Sequence, residues 1–352
     1  MKPFDLDSLV RKNIKNLKPY SSARTEYSGS ASVFLDANEN SFGSPLPENY
    51  NRYPDPLQWK LKEDLSKIKG IPPQNIFIGN GSDEVIDLAY RIFCNPGKDN
   101  VIICPPTYGM YSVSGHINDV AIKEVLLTPD FQLKVDDILN AIDINSRLLF
   151  ICSPNNPTGN NMNRKDVETL INNFPGLVII DEAYINFSRQ KTFIAELTEY
   201  ENLVVMQTLS KAWGLAALRL GLCFASEIII DLFNKVKPPY NINEASQQLG
   251  AEALANIEEV NEKIHITVQE RNMLERQLSQ FDFISKIYPS DANFILAKTN
   301  NADKLYQYLS GEKIIVRNRT KEPLCENCLR ITVGTPAENK TLLEALKNYK
   351  DE

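Results

Sequence analysis

The sequence predicts an α/β protein, with a mostly parallel central sheet in a large domain and a smaller α+β domain beside it. Short uninterrupted apolar runs alternate with amphipathic stretches, as in parallel strands that helices cover on both faces. A pair of prolines at 238–239 ends this alternation, which indicates a boundary between two parts of the chain. The length of 352 residues also exceeds what one hydrophobic core usually fills, so a second domain is expected.

The first half of the chain predicts the large domain. After a polar and irregular start, a helix carries Leu61, Leu65 and Ile68 on one face and ends at Gly70. The apolar runs that follow predict five strands, at 76–78, 101–104, 147–152, 177–180 and 202–206.

The second half predicts the smaller domain. A long helical region over 243–281, with joints at Gly250 and Asn256, precedes three further strands. These strands are expected at 292–297, 314–317 and 329–333. We therefore expect three units: an amino-terminal arm with part of the small domain at 1–34, the large domain at 35–237, and the small domain with an interdomain helix at 238–352.

Composition and charge exclude several classes of protein. The chain is 43% hydrophobic with a net charge of −7, and without a long basic run it is not expected to bind nucleic acid. No apolar run approaches the roughly 18 residues that a membrane span needs, and the amino terminus has no signal-peptide pattern. We expect a cytoplasmic protein without a membrane partner.

The cysteines and histidines do not indicate a metal centre. Four of the six cysteines lie in apolar contexts and are expected to be buried thiols of a reduced protein. Cys325 and Cys328 form a CxxC pair without the second pair of a zinc ribbon, which favours a loop over a redox motif. His116 and His265 lack metal-ligand spacing, so no metal is expected.

A polar or turn-forming segment follows each of the five predicted strands of the large domain. These segments are 79–84, 105–108, 153–159, 181–184 and 210–214. Ligands of open α/β sheets bind outside the carboxyl ends of the strands, so the five segments are expected to meet at one edge.

The residue types at this edge favour an anionic cofactor. Gly81 before a helix at Ser82 presents N–H groups and a dipole end for a phosphate, although an ordinary glycine turn explains these two residues taken alone. Asp181 follows four apolar residues and needs a positive partner. Partial burial would make Lys211 a nucleophile, and Arg219 in an apolar stretch should face an anion. With the phenol of a nearby tyrosine, these groups meet the needs of pyridoxal phosphate, whose ring is an electron sink.

Three segments carry a resemblance to a known family. Segment 208–219 resembles the cofactor-attachment signature of pyridoxal-phosphate-dependent aminotransferases of the aspartate aminotransferase fold type, class II. Segments 155–159 and 181–184 match two further motifs of that superfamily in the usual order. More narrowly, the chain is similar to the histidinol-phosphate aminotransferases, in the segments 18–24, 38–40, 52–56, 240–241 and 314–334.

The resemblance implies a set of cofactor contacts. Lys211 would form the Schiff base and move the substrate proton, Asp181 would pair with the pyridine nitrogen, and Tyr108 would stack on the ring. Tyr184 and Asn156 would hydrogen-bond the ring oxygen. The cofactor phosphate would be held by Ser82, Asp83, Ser210, Arg219 and, from a second subunit, Tyr53. The resemblance thus implies a homodimer with shared active sites.

The resemblance also implies the substrates, which are histidinol phosphate and glutamate or 2-oxoglutarate. Arg330 would bind the glutamate carboxylate, and Arg317 with Tyr20 would complete a site for the phosphate of histidinol phosphate. A solvated pair of surface charges competes with this interpretation of Arg317, because Arg319 lies two residues on. Arg319 itself has no predicted role.

Three alternatives stay open on the same resemblance. One is an aromatic amino-acid aminotransferase, because Tyr20 and Tyr108 could accept a phenyl ring. Another is a threonine-phosphate decarboxylase, which shares the fold and the recognition of a phosphate. The third is a regulator that senses the cofactor, but such regulators have a DNA-binding segment before this fold, and the resemblance begins by about Lys18.

Overall fold

The structure is a computed structural model that describes residues 4–20 and 32–350. Seven strands form the larger of two sheets. They are β1 (Ile76–Asn80), β2 (Asn100–Ile103), β3 (Ala121–Glu124), β4 (Ser146–Cys152), β5 (Leu177–Asp181), β6 (Leu203–Thr208) and β7 (Leu220–Phe224). Their order is β1-β7-β6-β5-β4-β2-β3, and β7 runs in the direction opposite to the other six. The prediction of an α/β protein with a mostly parallel sheet is confirmed.

Twelve α-helices accompany the sheets in the described residues. Seven of them lie before β5 in the chain: α1 (Leu6–Leu9), α2 (Lys12–Lys15), α3 (Trp59–Lys69), α4 (Ser82–Phe93), α5 (Met110–Ile117), α6 (Val135–Ala141) and α7 (Arg164–Asn173). Five follow: α8 (Glu227–Val236), α9 (Glu244–Leu254), α10 (Ile257–Leu278), α11 (Ala302–Gly311) and α12 (Pro336–Asn348).

Helices bury both faces of the large sheet. Leu65 of α3 and Leu170 of α7 share one core with one set of strand side chains. Ile86 of α4 and Phe233 of α8 share the other core with the alternate set. Each such side chain contributes about 1.5–3 kcal/mol when fully buried, and this burial fixes the strand ends that form the site.

The second sheet has four strands, all antiparallel. They are β8 (Ile284–Ile287), β9 (Phe294–Thr299), β10 (Arg317–Asn318) and β11 (Cys328–Thr332), in the order β10-β11-β9-β8. Its core lies against α10, α11 and α12, and α12 begins with a capping box between Thr335 and Glu338.

The amino-terminal segment contributes to a core of the large sheet in the residues that the structure describes. Leu9, Val10 and Ile14 are buried in the same core as α4, and the Arg11 side chain donates to the Arg91 carbonyl at 2.8 Å. These apolar side chains therefore contribute to the core beside α4. The division of the chain into units at 1–34, 35–237 and 238–352 stays a prediction.

The two predicted joints of the long helical region have different outcomes. Asn256 does separate α9 from α10. The joint at Gly250 is wrong, because this residue lies inside α9. A side chain there would come within 2.8 Å of Leu220 and 3.3 Å of Leu61, so the glycine lets α9 approach β7 and α3.

Within residues 4–20 and 32–350, no helix combines the length and the apolar character that a membrane span requires. The same residues contain no group of three or more His, Cys, Asp or Glu side chains arranged to hold a metal ion.

Candidate active site

One cavity of about 560 Å³ lies between the carboxyl ends of the large sheet and strands β10 and β11. Every predicted site residue except Tyr53 and Tyr20 lines it: Ser82, Asp83, Tyr108, Asn156, Asp181, Tyr184, Ser210, Lys211, Arg219, Arg317 and Arg330. The convergence of strand ends that the sequence predicts is thus present in the fold.

Backbone packing around Gly81 forms the end of the cavity that suits a phosphate. Gly81 has a φ of +77° and donates its N–H to the Arg219 carbonyl at 2.6 Å, and α4 begins at the next residue. Gly221 makes this approach possible, since a Cβ there would lie 2.3 Å from the Ser82 nitrogen. The first N–H groups of α4 and the guanidinium of Arg219 therefore face the same space.

Asp83 occupies this end of the cavity as well. Its carboxylate accepts a hydrogen bond from the Tyr108 hydroxyl at 3.0 Å and pairs with Arg219 at 3.5 Å. Burial, followed by the charge of Asp83, raises the pKa of Tyr108, so its hydroxyl stays protonated. These contacts hold Tyr108 and Arg219 in place, and the backbone N–H groups of α4 remain available for an anion.

Asp181 lies at the end of β5 and is only 4% exposed. Its Oδ2 accepts a hydrogen bond of 2.6 Å from the Tyr111 hydroxyl, and its Oδ1 accepts one of 3.0 Å from the Ala183 N–H. Burial raises the pKa of Asp181, and both hydrogen bonds oppose that rise. A carboxylate in this position is best stabilised by a cation that enters the cavity.

Lys211 follows β6 and reaches into the same space. Its Nζ lies 5.6 Å from the centre of the Tyr184 ring. Desolvation, then the charge of Arg330, lowers the pKa of Lys211, although the side chain still touches the solvent of the cavity. A lysine with a lowered pKa offers a larger neutral fraction at neutral pH, and the neutral amine is the nucleophile.

Tyr184 and Asn156 lie between the two sheets. The Tyr184 ring packs edge-on against Phe294 of β9 at 5.1 Å, and burial raises the pKa of its hydroxyl. Asn156 accepts a hydrogen bond of 2.5 Å from the guanidinium of Arg330. Both side chains therefore connect the large sheet to the small one across the cavity.

Three arginines of the small sheet face the cavity together. Arg317 of β10 lies directly opposite Arg330 of β11, and Arg319, which has no predicted role, enters beside them. Glu322 pairs with Arg319 at 3.4 Å, while the buried Nε of Arg319 has no hydrogen-bond partner in the described part of the chain. Burial and the other two guanidinium groups lower the pKa of Arg330. This excess of positive charge suits a dianion such as a phosphate ester.

Tyr53 and Tyr20 lie elsewhere in this chain. Tyr53 stacks on Tyr240 with ring centres 4.5 Å apart, and its N–H donates to the Glu39 carboxylate at 2.7 Å. Glu39 is also paired with Arg52, which fixes the position of this segment. Tyr20 is 75% exposed. Neither tyrosine lines the cavity of its own chain.

Sequence reasoning missed Tyr111, which is fully buried against Asp181. It lies in α5, just outside the strand-end segment 105–108, so the motifs themselves do not include it. An aromatic residue three positions after Tyr108 was the one available indication.

The cavity fits pyridoxal phosphate by the chemistry of its donors. The buried carboxylate of Asp181 suits the protonated ring nitrogen, and the N–H groups near Gly81 suit the phosphate. Lys211 lies in the same cavity with a lowered pKa, as attachment of an aldehyde requires.

Comparison with known proteins identifies the class. The family model for aminotransferase class I and II matches residues 34–346. The chain therefore belongs to the aminotransferase class I and II family, and it is a pyridoxal-phosphate-dependent aminotransferase.

Within that class, the relatives are histidinol-phosphate aminotransferases. The one of Cytophaga hutchinsonii is 54% identical over 346 residues, which cover 98% of this chain and 99% of the relative. The crystal structure of the histidinol-phosphate aminotransferase from Clostridium acetobutylicum has a TM-score of 0.78 at 24% identity, covering 85% of this chain and 90% of that one. The structure of the Sinorhizobium meliloti enzyme in complex with pyridoxal-5'-phosphate has a TM-score of 0.77 at 22% identity, covering 89% and 90%. These two structures share the fold.

Proposed function

We propose that this protein is a histidinol-phosphate aminotransferase, which transfers the amino group between L-histidinol phosphate and 2-oxoglutarate in histidine biosynthesis. The products are imidazole-acetol phosphate and L-glutamate. The observation that carries the proposal is the group of Arg317, Arg319 and Arg330 opposite Lys211, because it supplies positive charge for the substrate's anionic end. The relatives at 54% identity support the same substrate.

The chain's own residues then have separate tasks. When bound, pyridoxal phosphate supplies an electron sink for charge that develops at the substrate α-carbon. Asp181 would hold the ring nitrogen, and Tyr184 and Asn156 would donate hydrogen bonds to the ring oxygen. Lys211 would hold the cofactor through its amine and would move the proton at the substrate α-carbon. The N–H groups of Ser82 and Asp83, with Ser210 and Arg219, would hold the cofactor phosphate.

One arginine site serves two different substrates in turn. Arg330 and Arg317 bind the phosphate of histidinol phosphate in one half of the reaction and a carboxylate of glutamate in the other. Both anions accept two parallel hydrogen bonds from a guanidinium, so the same pair suits each. A single anion-binding site is sufficient when the first substrate has left as product before the second substrate binds.

We propose a homodimer with shared active sites. The segment 33–53 exposes apolar side chains without regular secondary structure, and Phe42 is fully exposed while Leu35 is 84% exposed. Side chains of this kind are normally covered by a partner surface. Tyr53 is the last residue of this segment and does not line the cavity of its own chain, which is consistent with a place in the cavity of a second copy.

A cytoplasmic location is also proposed. All six cysteines are free and buried, including Cys325 and Cys328. Reduced thiols in this number are typical of a reducing compartment.

The half-reaction tests the proposed substrate. Holoenzyme is mixed with one amino donor and no 2-oxoglutarate, and the absorbance of the bound cofactor is followed as it changes from the aldehyde-derived to the amine form. Histidinol phosphate and glutamate are expected to complete this change, with histidinol phosphate faster than phenylalanine. Threonine phosphate is expected to release no CO2. Absence of any change with histidinol phosphate, or a faster change with phenylalanine, would contradict the proposal.

A further inference from the structure

We propose that Tyr111 is a positioning residue for the cofactor, whose hydroxyl keeps the Asp181 carboxylate ionised and aimed at the pyridine nitrogen. The inference rests on the cofactor that this class of enzyme uses and is independent of the amino donor. If this inference fails, the proposed substrate is not affected. If the substrate proves to be a different one, this inference is not contradicted.

The contact itself is short and buried. The Tyr111 hydroxyl donates to Asp181 Oδ2 at 2.6 Å, and the Ala183 N–H donates to Oδ1 at 3.0 Å. Each carboxylate oxygen thus has one protein donor and keeps lone pairs for a ligand. Of these two donors, only Tyr111 is a side chain, so its hydroxyl is the donor that a substitution can remove.

The aromatic surroundings fix the Tyr111 ring. Phe150 stacks on it with ring centres 4.6 Å apart and an interplanar angle of 12°, and Tyr108 packs edge-on at 5.6 Å. The Tyr90 hydroxyl holds the backbone carbonyl of Tyr111 at 2.7 Å. Because the Tyr111 ring is held on two sides and at its backbone, its hydroxyl is already in position before the cofactor binds.

The groups around Asp181 make this donor necessary. Asp83 raises the pKa of Asp181 and Lys211 lowers it, and burial raises it more than any other cause. Burial and the Asp181 charge raise the pKa of Tyr111 well above its ordinary range, so the hydroxyl remains a donor across the working pH range. The neighbouring thiol of Cys152 has a raised pKa and stays neutral, and so does the phenol of Tyr184.

Loss of the hydroxyl has a defined consequence. Without it, the carboxylate of Asp181 has one protein donor in a buried site, so its protonated form gains weight. A protonated aspartic acid holds a pyridinium less well, and the cofactor then binds more weakly. A less positive ring nitrogen also withdraws less charge from the nitrogen that would join the cofactor to Lys211. The pKa of that protonated nitrogen then rises, and its titration moves to higher pH.

The test compares Tyr111→Phe with Tyr308→Phe. The Tyr308 hydroxyl also donates to a backbone carbonyl, that of Ala345, but Tyr308 lies in α11 beside the small sheet and does not line the cavity. Apoenzyme is titrated with pyridoxal phosphate, and the absorption band of the bound cofactor is then followed against pH. Tyr111→Phe is expected to weaken cofactor binding about tenfold to a hundredfold, the usual range for a hydrogen bond to a charged group. Its spectral midpoint is expected to lie about one pH unit higher. Tyr308→Phe is expected to change neither the cofactor affinity nor the spectral midpoint.

Equal affinity and equal midpoint in Tyr111→Phe and wild type would overturn the proposal, as would the same change in both variants. A double-mutant cycle with Asp181→Asn guards against a general loss of folding. Once the carboxylate is gone, Tyr111→Phe is expected to add no further loss of cofactor affinity. Independent, additive losses would show that Tyr111 acts on the fold and not through Asp181.

Discussion

Lys211 and Asp181 line one cavity, and their pKa values are displaced in opposite directions. Burial lowers the pKa of the lysine and raises that of the aspartate, so burial disfavours the charged form of each. A ligand that carries an aldehyde at one end and a basic ring nitrogen at the other relieves both costs. The lowered pKa of Lys211 and the raised pKa of Asp181 are therefore those expected of a site that binds this cofactor.

Replacement of Lys211 tests the attachment site. Lys211→Ala is expected to abolish the spectral band of the attached cofactor and to lower kcat by at least about a thousandfold, since it removes both a covalent anchor and a proton carrier. Absorbance spectra and steady-state assays measure the two effects. Lys60→Ala on the exposed face of α3 is the matched control and should resemble wild type. A Lys211→Ala variant with normal turnover would contradict the assignment.

The pKa of Lys211 leads to a pH prediction. Arg330 is the second cause that lowers this pKa, after burial, so removing its charge must raise it. In Arg330→Gln, the rate at which apoenzyme attaches pyridoxal phosphate should reach its half-maximum at a higher pH than in wild type. Arg91→Gln on α4 removes an arginine that pairs with Asp87 and should leave the profile unmoved. A shift to lower pH in Arg330→Gln would refute the electrostatic account.

The residues that face the cavity from strand ends were predictable, and those that act through tertiary contacts were not. Asp181, Lys211 and Arg219 interrupt or end apolar runs, where a charged side chain requires a partner of opposite charge or a ligand. Tyr111 lies within α5, and its contact with Asp181 depends on the packing of that helix beside β4 and β5. Arg319 enters the cavity because the chain turns back from β10 to β11, which residue spacing does not reveal.

At the scale of elements, the close packing of β7 on the start of α4 shapes the phosphate end of the cavity. Gly221→Ala places a methyl group 2.3 Å from the backbone of Gly81 and Ser82, so the two elements must separate. We expect a loss of about 1–3 kcal/mol in the free energy of unfolding, together with weaker cofactor binding. Thermal unfolding of apoenzyme and holoenzyme measures both.

Gly311→Ala is the control for that substitution, because nothing lies within 4 Å of the added methyl group at the end of α11. It should change neither stability nor cofactor binding appreciably. If Gly221→Ala proved as harmless as Gly311→Ala, the close approach of β7 and α4 would not matter for the site.

Some strands of the fold escaped prediction for physical reasons. β3 is a half-exposed edge strand, so it lacks the uninterrupted apolar run that marks β4 or β5. β7 belongs to a longer apolar stretch and is antiparallel, which the alternation of strands and helices does not anticipate. β8 has only four residues, of which Ile284 alone is buried. The buried parallel strands, in contrast, agree with their predicted places to within about two residues.

At the scale of the whole molecule, the net charge of −7 describes the surface and not the cavity. Arg219, Arg317, Arg319 and Arg330 all line one cavity, so a small phosphate meets positive charge in an acidic protein. The prediction against nucleic acid relied on the overall charge and says nothing about such small anions.

The proposed dimer can be disrupted at the exposed apolar segment. The double substitution Leu35→Glu and Phe42→Glu is expected to shift the protein from dimer to monomer in analytical ultracentrifugation, because each carboxylate would be buried at the interface. Ile144→Glu introduces the same charge at another exposed apolar residue and should leave the dimer intact. Dimers of unchanged stability in the double variant would exclude this segment from the interface.

Shared active sites make a separate prediction. Tyr53→Ala and Lys211→Ala should each be nearly inactive alone, yet unfolding and refolding them together should restore activity. In a mixed dimer, one site would receive Lys211 from one chain and Tyr53 from the other. Assays of the refolded mixture measure this recovery. No recovery would place Tyr53 outside the partner's site.

The most direct test of the central claim compares kcat/KM for L-histidinol phosphate with that for L-histidinol, which lacks the phosphate, at a fixed concentration of 2-oxoglutarate. The exposed Arg317 and the partly buried Arg330 face no anion when the phosphate is missing, so the phosphorylated substrate should be preferred by at least about a thousandfold. Arg317→Gln should narrow that preference. Equal kcat/KM values for the two compounds in the wild-type enzyme would contradict the assignment of this cavity to a phosphorylated amine.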